Sequence, residues 1–335
     1  MAPSACPREE AQPISTSLVL TLLTFSTLGS VETPARSAAA DDVAAAIPEG
    51  GAARGKGKWY VGIRVLPDVT TVVWTEFDSE TDAQKEVKSY RLLNAPNDIK
   101  GLWIQRGSKA LVPTRSDLSS MARTLTDERH RDTYRPRGGV THCSQFVRDF
   151  ARGALGRDVP ELRGRANDQF AQLRASPDVE RLWAPDASDP NLVAARTALQ
   201  EARRLEAERK AAQELNDTAR SAELTEQVGK ARERAREKAA GLSRALAAAQ
   251  ERANRGNLVV VAWDNPRAEG HGHIAVVTPS PEGGPTLRPS GDWGLMRLPY
   301  IAQAGTTVFA EQPLSSGFRS VETIEGLGVF VLKNP

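Results

Sequence analysis

The segment Thr141-His142-Cys143-Ser144-Gln145-Phe146-Val147 decides how this chain is read. Cys143, Phe146, Val147 and Phe150 recur at spacings of three and four, which predicts a helix with one apolar face and a thiol in its first turn. Thr141 is the expected cap, and Gly153 and Gly156 the expected end. A helix N-terminus carries partial positive charge, which favours thiolate over thiol. Far downstream, Gly272-His273-Ile274-Ala275-Val276-Val277 reads as a strand that begins at an imidazole. His273, Ala275 and Val277 share one face of it, and small Ala275 leaves room beside the ring. A thiol at a helix head and an imidazole at a strand head make a nucleophile and its base. Their distance in sequence is no obstacle, because such groups need to meet only in space.

A length of 335 residues suffices for one sizeable core with additions, or for two domains. A net charge of +2 makes no case for nucleic acid as a partner. Ile14 to Leu28 is an apolar run too short and too rich in Ser and Thr for a stable membrane span. Small residues follow at Ser37-Ala38-Ala39-Ala40, so residues 1–40 are expected to be a cleaved export signal, with Arg8 as the one basic side chain ahead of the apolar run. The expected location is secreted or periplasmic. Cys6 and Cys143 are the only cysteines. Loss of Cys6 with the signal leaves one unpaired thiol in an oxidising compartment, which asks for a chemical reason; a Cys6–Cys143 disulfide is the structural alternative.

Residues 41–57 read as an Ala/Gly/Pro-rich linker. Residues 58–110 read as a small α+β module, with strands at Trp59–Val65, Val69–Phe77 and Ile99–Ile104 and a helix over Glu80–Leu93. Residues 105–140 are polar and Arg-rich and are expected to be a loop. In it Arg129, Arg131, Arg135 and Arg137 could capture a substrate carboxylate, or form a solvated basic surface. Residues 190–255 are dominated by Ala, Glu, Arg and Lys, with no aromatic residue. They are expected to form a charged helical hairpin broken at Asn216-Asp217, either solvated or contacting a protein partner. From Leu258 the strands return at 258–263, 273–278, 306–310 and 328–333, an antiparallel set.

A third group should orient the imidazole. The next polar cluster is Arg288-Pro289-Ser290-Gly291-Asp292-Trp293, so Asp292 and Ser290 are the candidates, with main-chain carbonyls as the other source. His142, Ser144, Asn167 and Trp293 are the candidate substrate-binding residues around the site. His271 and His273 share a strand face and could, with His142 and His130, ligate zinc, but no Cys-x-x-Cys or His-Glu-x-x-His spacing accompanies them. No metal and no cofactor is expected.

These residues resemble the NlpC/P60 and CHAP superfamily of papain-like cell-wall hydrolases. The family pattern, an Asp/Asn-Cys-Ser/Thr-x-Phe-Val helix and a later Gly-His-Val/Ile-x-Val/Ile strand, is similar to His142–Val147 and Gly272–Val277, with His142 departing from it. The type VI secretion amidase effectors show the nearest likeness. Their Gly-x-Ala-Asn segment is similar to Gly164-Arg165-Ala166-Asn167, and their short Ala-rich helical stretch looks expanded in 190–255. The resemblance implies an α+β papain-like core formed by 111–189 and 256–335, with the N-terminal module and the helical hairpin as additions. It implies a cysteine peptidase or amidase cutting peptidoglycan stem peptides, with peptidoglycan as partner. The export signal favours an ordinary wall enzyme over an injected effector. The alternatives are deamidation or cross-linking of a protein on the same scaffold, and an inactive wall-binding or adaptor protein.

Overall fold

Valine and isoleucine runs separated by Gly and Pro supply strands that are buried on both faces, and the chain uses them to build one large sheet with helices on each side. The structure is a computed structural model. It describes residues 57–65, 68–93, 99–138, 141–185, 189–265, 271–281, 297–319 and 321–333, all within one unit spanning Glu49–Pro335. The expected signal, most of the linker, Cys6 and the polar cluster 288–293 lie outside the described residues.

The chain begins with β1 (Trp59–Val65), β2 (Val73–Phe77), α1 (Glu80–Leu93) and β3 (Ile99–Arg106). These form a three-stranded antiparallel sheet in the order β2-β1-β3, with α1 against it. Next come α2 (Arg115–Thr126) and α3 (Glu128–Tyr134), then α4 (Cys143–Leu155), α5 (Ala166–Ala175) and β4 (Val179–Trp183). Three helices follow: α6 (Pro190–Glu214), α7 (Thr218–Lys238) and α8 (Ala240–Asn254). The chain closes with β5 (Val259–Trp263), β6 (His273–Val277), β7 (Tyr300–Ala304), β8 (Val308–Pro313), α9 (Leu314–Gly317) and β9 (Leu327–Leu332). The second sheet has six antiparallel strands in the order β4-β9-β5-β6-β7-β8. The architecture is mixed α+β.

Period two sorts the large sheet into two faces. Val260, Ala262, Ile274, Val276, Ala302 and Phe330 pack against α2, α4 and α5. Val259, Val261, Ala275, Val277, Ile301 and Val329 pack against α8 and the base of α6. Helix α4 buries Phe146, Val147, Phe150 and Leu155, each contributing about 1.5–3 kcal/mol. Gly156, at φ +64°, ends α4. Gly153 stays inside the helix, where Met121 leaves no space for a side chain.

The N-terminal module docks on the C-terminal end of α4. The Trp74 indole donates to the Gly156 carbonyl at 2.8 Å, and the Arg64 guanidinium donates to the Gly153 carbonyl while stacking over Trp103. Cations and N–H donors suit that negative helix end.

Four sequence expectations are corrected. Residues 105–140 are not a loop: a capping box between Thr114 and Asp117 starts α2, and Leu118, Met121, Ala122 and Leu125 form its buried stripe. The β2 strand starts at Val73, because Asp68 turns the chain by accepting from the Thr70 amide and hydroxyl. Strands β4 and β7 were not anticipated. The segment 190–255 holds three helices rather than a two-helix insertion, and α8 belongs to the core, with Leu242, Leu246 and Ala249 fully buried over the large sheet.

Candidate functional site

Helix α4 starts at Cys143 with His142 as its N-cap. No side chain caps it, so Thr141 is not the cap that the sequence suggested. The Phe146 amide donates to the His142 carbonyl at 2.9 Å and closes the first turn. The amides of Cys143, Ser144 and Gln145 therefore have no acceptor within the helix. The Thr141 hydroxyl instead sits 4.0 Å from the Cys143 sulfur.

Cys143 is a free thiol and only 4 % exposed. Burial pushes its pKa up, but a hydrogen bond from His273, the charge that ring carries when protonated, and the Ile274 amide outweigh burial. The thiol is held below its ordinary value. The groups that reach the sulfur are thus polar, although Cys143 belongs to the apolar cluster under α4.

The imidazole arrives from the other side. β5 pairs β6 in register, Trp263 opposite His273. β6 pairs β7 only at Val276 with Ala302 and Val277 with Ile301, so that ladder stops short of His273. In the gap the ring meets Gln303: Nε2 lies 2.5 Å from Gln303 Oε1. An amide oxygen accepts only, so Nε2 carries the proton and Nδ1 is left for the sulfur. Phe318 packs on the ring with centroids 4.8 Å apart. Glycines make the space. A Cβ on Gly305 would stand 3.1 Å from the ring, and one on Gly317 would stand 2.1 Å from Gln303 Oε1.

Thus the structure brings Cys143 and His273 together and adds Gln303, which sequence reasoning missed. The available signal was a polar residue inside the apolar strand Tyr300-Ile301-Ala302-Gln303-Ala304, only 2 % exposed. The proposed orienting residues Asp292 and Ser290, and Trp293, lie outside the described residues. Asn167 Oδ1 accepts from the Asn265 amide at 3.4 Å and occupies the space where a Cβ on Gly272 would be. It buttresses the start of β6. The Ser144 carbonyl accepts from buried Gln169, which also bonds the Leu162 carbonyl and so ties α5 to the head of α4. His142 flanks the thiol in sequence, and its Nε2 is buried with no hydrogen-bond partner.

His130 bonds Asp127 on α3, and Arg135 and Arg137 both turn back to Asp132. Among the described residues no cluster of three or more His, Cys, Asp or Glu is arranged to hold a metal ion, and no helix is long and apolar enough to cross a membrane. No family model, curated protein or solved structure matches the chain.

Proposed function

We propose that this chain is a papain-like cysteine amidohydrolase or peptidase acting on an amide bond of peptidoglycan stem peptides, outside the cytoplasm. One observation carries the reading: His273 is held between the Cys143 sulfur and Gln303 Oε1. That is a nucleophile, a base and a group that sets the base's tautomer. The substrate class rests on the resemblance of His142–Val147 and Gly272–Val277 to the wall hydrolases, and so does the NlpC/P60 form of the fold.

His273 Nδ1 takes the thiol proton. The thiolate attacks the amide carbonyl carbon, and the carbonyl electrons move onto oxygen. Unpaired amides at the head of α4 would hold that oxyanion. The C–N bond then breaks, and the imidazolium gives its proton to the departing amine. Water, deprotonated by His273, attacks the thioester. The acid leaves and the thiolate is restored. The 4 % exposure of Cys143 makes substrate entry a step of its own, in which neighbours give way.

Replacing Cys143 with Ala should abolish release of fragments from purified sacculi, with a melting curve close to that of the parent chain. Undiminished release by the folded variant contradicts the mechanism. Ammonia release from proteins, with no sacculus fragments, would redirect the reading to deamidation.

A further inference from the structure

Strand β8 departs from regular pairing beside Gln303. Tyr300 pairs with Pro313 and Ile301 with Gln312, but Gln303 pairs with Phe309 and Ala304 with Val308. The register shifts between Ile301 and Gln303, so Ala310 and Glu311 together oppose Ala302. That is a β-bulge, a device that re-aims neighbouring side chains. Glu311 adopts φ +54°. The left-handed region crowds a residue that carries a Cβ, and Glu lacks the local hydrogen bonding that lets Asn tolerate it. Asn216, the other such residue among the described residues, sits in the turn between α6 and α7, where Asn is at home.

Something outside β8 must hold Glu311 there. Its carboxylate accepts two hydrogen bonds from Arg123, Nε at 3.1 Å and Nη2 at 3.2 Å. This forked geometry fixes direction as well as distance. Arg123 lies in the last turn of α2, and α2 packs on α4 through Met121 against Gly153. One helix thus grips both the body that carries Cys143 and the bulge that flanks Gln303.

We propose that Arg123 and Glu311 are positioning residues: their ion pair holds the left-handed bulge of β8, and the bulge keeps Gln303 in register to bond His273. The proposal rests on reading Cys143, His273 and Gln303 as one unit. The arrangement acts through backbone conformation, so glycine, which occupies φ near +54° freely, should substitute for the clamp.

The test follows iodoacetamide alkylation of Cys143 against pH in the full chain. Gln303→Leu and Arg123→Gln should each move the midpoint of the thiol titration upward by about one unit, an about tenfold loss of rate at neutral pH. Glu311→Gly and the double variant Arg123→Gln/Glu311→Gly should titrate within about threefold of the parent. Arg123 is exposed, so its replacement should leave the melting curve nearly unchanged. A parental titration for Arg123→Gln, with Gln303→Leu shifted, overturns the clamp alone. A parental titration for Gln303→Leu overturns both the clamp and the orienting role of Gln303. A Glu311→Gly or double variant as impaired as Gln303→Leu shows that the pair does not act by holding the bulge, and overturns the proposal.

Discussion

Gln303 stands 2.5 Å from the far nitrogen of His273, and this contact assigns the ring's proton. A neutral amide orients the imidazole without the strong stabilisation of imidazolium that a carboxylate would bring. The thiol therefore owes its lowered pKa to the ring itself and to the Ile274 amide, working against burial. The sign follows. Thiolate is the reactive form, and its pKa in the folded chain lies below the value of an exposed thiol. Reactivity should rise as pH climbs through that lowered value and level off at a lower pH than it does for an exposed thiol. Gln303 was hidden from the sequence because chain order points first to Asp292 and Ser290. Only the β6–β7 register brings Gln303 to the ring.

At the scale of elements, the start of β6 is held by a contact between distant segments. Gly272 lies where Asn167 Oδ1 and the Trp263 carbonyl leave no room: an added Cβ would stand 2.0 Å and 2.5 Å from them. Gly272→Ala should destabilise the chain by about 1–3 kcal/mol, read as a lower urea midpoint, and should slow Cys143 alkylation because His273 shifts with its strand. An unchanged midpoint and rate would show that this packing does not matter. Helix α4 and strand β6 were legible because each carries its own periodicity. Helix α2 was obscured by Arg115, Ser116, Ser119, Ser120 and Arg123 on its outer face, although Leu118, Met121, Ala122 and Leu125 keep helical spacing. Strand β7 was missed because Gln303 interrupts a short apolar run. Helix α8 shares the Ala-rich composition of α6 and α7, yet Leu242, Leu246, Ala249 and Ala253 along it all join the cluster that holds Val259 and Val261. Composition alone cannot report which of two Ala-rich helices lies on a sheet.

Across the whole molecule, the contacts divide the helical arm from the core that holds the site. Leu192 to Leu199 of α6 and Ala235 of α7 pack with the sheet, whereas Ala202, Leu205, Ala212, Leu224, Val228 and Ala231 form a separate cluster of arm residues alone. From Ala202 to the end of α6 the hairpin runs about 20 Å. It is laced by pairs such as Arg234–Glu201 and Arg220–Glu223, and carries Leu215, 80 % exposed, at its turn. Surface pairs of this kind contribute little each, so the arm depends on its own small core. Replacing residues 202–233 by a short Gly/Ser turn should leave the melting of the remaining chain and the titration of Cys143 nearly unchanged, since Glu201 and Arg234 already face each other. Collapse of the shortened chain would show that the arm is part of the core. The proposed catalysis by this chain requires the His273–Cys143 contact. Its most direct test is the rate of iodoacetamide alkylation against pH, for the parent chain and for His273→Ala. The thiol should titrate below the ordinary range in the parent and at or above it in the variant. Equal midpoints in the two chains, or a parent thiol that titrates like an exposed cysteine, would contradict it.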